Sequence, residues 1–203
     1  MSAVPIPDTV TIHDLSGEWV MDKARSKGIE EAMGIQGISW FLRKAIGLAT
    51  VTLKLTHKPG SIETLSQGTG VPMSVAETIN LDWTERDKKL PIFGAVKTRN
   101  REVTVQSSTT SLEASSYGAD AAAVENAEDL SWLLADWIRG EDGGLEIIES
   151  QVLSTDAGWV SHQVWGFEII DGKKEHVRKV VLWKGAQKTR AHLIYQYLGP
   201  LKA

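Results

Sequence analysis

Apolar and polar positions alternate with a period of two along most of this chain, and over a shorter early stretch the period lengthens to that of a helix. The first alternating run is LSGEWVMD (15–22), which places Leu15, Gly17, Trp19 and Met21 on one face of a strand. Gly17 lets the backbone bend or approach a neighbour closely there. Two short helices are predicted next, forming a cap over 27–48. Ser26 is the expected cap residue of the first, with Ile29, Ala32 and Met33 on its buried side. The second, QGISWFLRKAIGL (36–48), carries a stripe of Ile38, Leu42, Ala45 and Ile46, with Phe41 nearby and Trp40 at its edge.

From Thr50 the period returns to two. Val51, Leu53 and Leu55 alternate with Thr52, Lys54 and Thr56, and further strands are predicted at 61–69, 74–83 and 92–105. The last quarter repeats most regularly, with strands at 145–154, 159–169, 174–183 and 189–198. Asp156-Ala-Gly158, Asp171-Gly172 and Lys184-Gly185 separate them, and each break has hairpin chemistry. Consecutive hairpins without long crossovers define an antiparallel meander, and closure would remove its exposed edges. The expectation is a single mainly β domain over 1–203: a closed up-and-down barrel of eight to ten strands, with a helix-turn-helix cap after the first strand. An insertion at 107–144 interrupts it. Its first half is small and polar, and ENAEDLSWLLADWIR (125–139) then reads as an amphipathic helix. The insertion is a lid, a helix that plugs one end of the barrel, or a disordered loop.

Charge and composition refine this reading. The net charge is −4, but from Asp171 to Ala203 there are eight Lys/Arg against two Asp/Glu, leaving 14 against 24 in the rest. The basic residues of the tail alternate with Val, Leu and Trp, the pattern of a solvated strand face rather than of a nucleic-acid surface. Neither a leader nor an apolar run of about 18 residues is evident, so a cytoplasmic protein without stable membrane insertion is expected. Cysteine is absent, which excludes disulfides, thiolate metal sites and Cys nucleophiles. Eight Trp against three Phe and three Tyr is the unusual count, and large flat side chains either fill a core or wall a cavity.

The usual catalytic signatures are missing: Gly68-Thr-Gly70 runs into Val-Pro-Met, and neither a phosphate loop nor HExxH nor Gly-x-Ser-x-Gly occurs. His13, His57, His162, His176 and His192 lack metal-ligand spacing and read as strand surface residues, so neither metal nor cofactor is expected. More informative is one predicted strand whose face carries Trp159, Ser161, Gln163, Trp165 and Phe167, apolar walls with sparse hydrogen-bonding groups, as in a small-molecule pocket. Trp40 and Trp83 join these as candidate ligand contacts. Glu77 and Glu149 lie on otherwise apolar strand faces, so each is paired, shifted in pKa, or on the other face. With His162, Arg178, Tyr195 and Tyr197 they make up the candidate acid–base groups.

Three features in order resemble the intracellular fatty-acid-binding proteins of the calycin group. These are the Gly-x-Trp strand (Gly17-Glu18-Trp19), the cap and its exit EAMGIQGISWFLRKAIGLATVTLKL (31–55), and the late hairpin FEIIDGKK (167–174). The resemblance implies a ten-stranded barrel with a two-helix lid over an internal cavity. Short lipocalin-like barrels that assist cyclisations in fungal natural-product pathways are a second likeness. Family members hold a carboxylate with inward Arg residues and a Tyr. Here Phe167 stands at one expected Arg position, Tyr195 at the other, and Tyr197 keeps the Tyr position. Arg190 has the outward parity, whereas Arg178 shares parity with Val180 and Leu182. The clamp is thus dismantled, and a neutral aromatic or polyenic ligand is expected instead.

Two functions follow from such a cavity. One is an intracellular carrier that binds a hydrophobic small molecule against Trp40, Trp83, Trp159, Gln163, Trp165, Phe167, Tyr195 and Tyr197. The other is a cofactor-free cyclase or isomerase of secondary metabolism, of the pericyclase type, in which Tyr195, Tyr197, Arg178 and Gln163 supply hydrogen bonds to a carbonyl. A protein-interaction role for the acidic helix is a third.

Overall fold

The computed structural model describes residues 2–70, 73–106, 112–117 and 125–202. Ten antiparallel strands form one sheet: β1 (Gly17–Met21), β2 (Val51–Lys58), β3 (Ser61–Gly68), β4 (Met73–Asn80), β5 (Arg86–Leu90), β6 (Gly94–Val105), β7 (Leu145–Ser154), β8 (Val160–Ile170), β9 (Lys173–Lys184) and β10 (Gln187–Gly199). Their order is β4-β3-β2-β1-β10-β9-β8-β7-β6-β5, so the sheet curls into a nearly closed barrel in which, among the described strands, β1 with β10 is the one non-sequential pairing. It differs from the expected closed barrel at one seam, where β4 and β5 do not pair. Lys88 spans that seam from β5, donating to Thr78 O at 2.6 Å and meeting Glu77 Oε2 at 3.4 Å. The hairpin β5–β6 replaces a single predicted strand because Arg86–Leu90 (RDKKL) is charged nearly throughout and carries no period-two signal.

The predicted cap forms as α1 (Ile29–Ile35) and α2 (Trp40–Leu48). Gly28, not Ser26, begins α1. Its left-handed backbone sits so close to β10 that a Cβ would fall 2.1 Å from Arg190 O. Ser26 instead donates its hydroxyl to Asp22 O and accepts from Ile194 N at 2.9 Å, pinning the link to β10. In α2, Ser39 caps the start and the Lys23 ammonium meets carbonyls at the end, at Ile46, Gly47 and Ala49. Ile46 is the buried residue of α2, whereas Trp40 and Phe41 are 63% and 78% exposed.

The inserted helix α3 (Ala127–Leu134) is shorter than predicted and starts with a capping box between Asn126 and Asp129. It neither covers nor plugs an end of the barrel. Leu133 and Trp137 lie with Leu145, Ile147, Val160, Val164, Val177, Val181 and Trp183 in a second hydrophobic core on the outer face of β7–β9. Those strands are therefore buried on both faces, and period-two reading cannot tell their inside from their outside. Two contacts fix the docking. Ile138 N donates to Phe167 O at 2.8 Å, along the half of β8 that β7 does not reach. The Trp137 ring also lies over Gly166, where a Cβ would meet its Cε3 at 2.7 Å.

The basic outer face of β9–β10 is paired rather than solvated, contrary to the reading of its pattern. Asp129, fully buried, receives Lys188 at 2.7 Å and Arg190 at 2.8 Å. Lys179 meets Glu168 at 2.7 Å and donates to Ala135 O. The opposite charges of the tail and the insertion thus meet across this outer layer.

Candidate functional site

Register decides which side chains face inward. Trp19 of β1 lies opposite Tyr197 and Met21 opposite Tyr195, while β9 opposes His176 to Tyr195 and to Phe167 on either side. Arg178 is likewise opposite Leu193 and Trp165. The inner face of the late strands thus brings together Gln163, Trp165, Phe167, Arg178, Tyr195 and Tyr197 of the expected set, whereas Trp159 shares their parity but packs apart from them, with Val96, Val180, Leu182 and Ala191. Trp19 and His176 complete the inner group. Trp40 lies in the first turn of α2 and is largely exposed among the described residues. Trp83 has a positive φ of 60°, and its ring lies under the guanidinium groups of Arg99 and Arg101, at 4.4 and 4.2 Å. Both arginines have the parity of Gln151 and Glu149, which point outward from β7, so Trp83 lies outside the wall.

At the centre is Arg178. It faces inward and is partly buried as a whole, with its Nε and Nη2 shielded from solvent. Its guanidinium lies 3.7 Å from the Trp165 ring centroid and 5.2 Å from that of Tyr195, a geometry suited to cation–π attraction. Its Nε and Nη2 have no hydrogen-bond partner among the described residues. Burial lowers its pKa, partly offset by Tyr195 and Glu77, but a guanidinium remains charged in a protein. Glu77 does face inward, as its parity with Val75 and Ile79 predicts, and pairs with Lys88 rather than Arg178.

His176 follows on the same face, fully buried among Trp19, Trp165, Phe167 and Tyr195, with ring centroids 5.2 to 6.5 Å away. Its Nδ1 lies 3.2 Å from Gly166 O, and its Nε2 has no hydrogen-bond partner among the described residues. Burial, with the nearby Arg178 charge, pushes its pKa down to about 3. Burial raises the Tyr195 phenol against the opposing pull of Arg178, and raises Tyr197 together with the charge of Asp14. Gln163 links the polar side of the wall, receiving Trp165 Nε1 at 3.4 Å and donating to Ser161 at 3.2 Å.

The remaining acid–base candidates lie elsewhere. His162 and Glu149 are buried on the outer face beneath the insertion, where His162 bridges Glu125 at 2.7 Å and Glu149 at 3.0 Å, and Arg101 holds Glu149 at 2.7 Å. The expectation that all histidines are surface residues thus fails for His162 and His176, both wholly buried. Sequence reasoning missed His176 because β9 carries a charged or polar residue on each face, and neither parity looked apolar. Among the described residues no group of three or more His, Asp or Glu is placed to hold a metal ion.

Comparison with known proteins fits this geometry. No known family profile matches the chain. The Schistosoma mansoni fatty acid binding protein, solved in complex with arachidonic acid, superposes with a TM-score of 0.54 at 14% identity, covering 93% of this chain and 99% of that one. Lipid binding protein 8 of Caenorhabditis elegans gives 0.54 at 10% identity, covering 90% and 94%. In sequence the chain is 27% identical to the probable pericyclase scpY of Mollisia scopiformis over 97% of its own length and 96% of that protein. It is 28% identical to the pericyclase pydY of an Acremonium species over 96% and 97%. The chain therefore has the nearly closed barrel fold of the fatty-acid-binding proteins, with a barrel-shaped cavity consistent with a hydrophobic small molecule, and is similar over nearly its whole length to a pericyclase and a probable pericyclase.

Proposed function

We propose that the protein binds a hydrophobic polyene in the barrel and accelerates its intramolecular pericyclic ring closure without a cofactor. The observation that carries this reading is Arg178: a cation on the inner face of the barrel, 3.7 Å from the Trp165 ring centroid and without an ion-pair partner among the described residues. Burying an unpaired charge destabilises the fold, so a group that relieves it is expected to enter with the ligand. A carbonyl conjugated to the reacting π system is such a group. Hydrogen bonds from the guanidinium withdraw electron density from it and favour the more polar transition state. The aromatic walls fold the chain of the substrate so that its reacting ends meet, which converts lost freedom into rate. Removing one donor of this kind costs on the order of 10²–10³ in rate. The end-to-end similarity to two proteins named as pericyclases supports the same reading.

Deleting the gene in its source organism tests it. An acyclic compound should accumulate with the same mass as the lost cyclic product, because ring closure only rearranges bonds. The wild-type gene should restore the product, and Arg178→Gln, checked for folding by circular dichroism, should not. A metabolite profile with unchanged carbon skeletons would instead favour the carrier reading, in which the same cavity only holds its guest.

A further inference from the structure

The cavity pairs a fixed donor with a fixed acceptor. Gly166 O can only accept, so the proton of the neutral His176 ring resides on Nδ1, and Nε2 presents a lone pair. Complete burial and the neighbouring Arg178 charge disfavour an imidazolium there, and no carboxylate among the described residues pairs with the ring. Arg178 can only donate. The two are successive inward positions of β9, about 7 Å apart along the strand, and the Trp165 and Tyr195 rings flank both. The free nitrogens on each side, Nε2 of His176 and Nε with Nη2 of Arg178, lack partners among the described residues. Lys88 and Glu77, the other inward charges discussed above, already satisfy one another.

Resting on the reading of the barrel as a binding cavity, we propose that it selects a guest whose polar end sets an O–H or N–H donor beside a carbonyl. An enolised 1,3-dicarbonyl or an amide has this chemistry. Arg178 donates to the carbonyl oxygen and His176 Nε2 accepts from the neighbouring donor. A carboxylate satisfies Arg178 but turns a second set of lone pairs toward Nε2, and an ester offers Nε2 nothing. The pair therefore ranks head groups, favouring the donor–acceptor edge over the bare anion. Nε2 has no solvent-accessible surface within its ring cage, so a guest engages it by displacing one ring, and selection applies only to head groups that reach that depth.

Parinaric acid, its methyl ester, its primary amide and the 1,3-diketone of equal chain length serve as probes, read at pH 8 by energy transfer from tryptophan to the polyene. The amide or the diketone should bind at least tenfold more tightly than the ester and more tightly than the acid. Whichever of the two binds better identifies whether the donor is N–H or O–H. In His176→Phe, which keeps an aromatic ring, the amide and ester should fall within twofold of each other, and His176→Gln, which keeps an acceptor, should retain the preference. Equal affinities for all four probes in the wild-type protein, or tightest binding of the acid, would overturn the selection and leave the cavity reading standing. Absence of energy transfer with every probe would overturn both.

Discussion

Gly166 and Trp137 offer the sharpest test of how the insertion is seated. A Cβ at residue 166 would lie 2.7 Å from Trp137 Cε3 and 3.0 Å from Cζ3, inside contact distance of a ring that is only 6% exposed and anchored by its Nε1–H to Leu133 O at 2.6 Å. The ring cannot slide freely, so Gly166→Ala should cost about 2 kcal/mol as overpacking. Without the clash the same change should stabilise by about 0.4–1 kcal/mol, because alanine restricts the unfolded chain and Gly166 has no positive φ to protect. Trp137→Ala alone removes a buried indole and should cost about 3–5 kcal/mol. The double variant should therefore be no less stable than Trp137→Ala, giving a coupling energy of roughly 2–3 kcal/mol. For a domain of this size 2 kcal/mol corresponds to about 4–8 °C in Tm. Urea unfolding of all four proteins, followed by far-UV circular dichroism, measures the cycle. An equal cost of Gly166→Ala in both backgrounds would show that Trp137 does not sit on β8, and the outer-layer description would fall.

Other consequences can be measured in the same way. Burial alone would raise the Asp129 carboxyl, but Lys188 and Arg190 outweigh it and hold the group below its usual range. Its stabilisation is therefore complete above the unfolded value near 4 and is lost as pH falls through the folded one. Asp129→Asn should unfold less steeply on acidification and lose about 1–3 kcal/mol at pH 7; an unchanged acid limb would count against the pairing. His162 has the opposite sign: burial disfavours its charge, yet Glu125 and Glu149 win and raise its pKa, so its contribution is complete below about 6.5 and lost as pH rises through the folded value. The stability gap between wild type and His162→Gln should accordingly shrink from pH 6 to pH 9, and a widening gap would contradict it. Arg178→Met should stabilise the empty protein by roughly 1–3 kcal/mol while weakening every carbonyl probe, and a loss of stability would mean that Arg178 serves the fold.

The last four strands could be read from the sequence almost to the residue, because their turns use Asp-Gly and Lys-Gly and their lengths suit a barrel wall. The inward set Trp159, Gln163, Trp165 and Phe167 followed from parity on one strand. Parity could not show that the opposite face of that strand is also buried, since the helix that covers it lies elsewhere in the sequence. That hidden layer accounts for much of the Trp count: Trp132, Trp137 and Trp183 serve it, and Trp83 lies on the outer surface. His176 was legible only after register was known, because its role depends on a carbonyl ten residues away that fixes its tautomer.

The pairing of β1 with β10 has a consequence for how the molecule comes into being. These strands carry Trp19, Tyr195 and Tyr197, yet they are nearly the full chain apart in sequence. Strands β1 to β4 and β5 to β9 can each pair with their chain neighbours as they leave the ribosome, but β4 and β5 do not pair, so the two halves join into one sheet only once β10 has emerged. Until then the indole-lined interior lies open to water as an exposed sticky surface. Chaperone demand and losses to aggregation should therefore track the arrival of this final strand rather than the stability of the finished barrel.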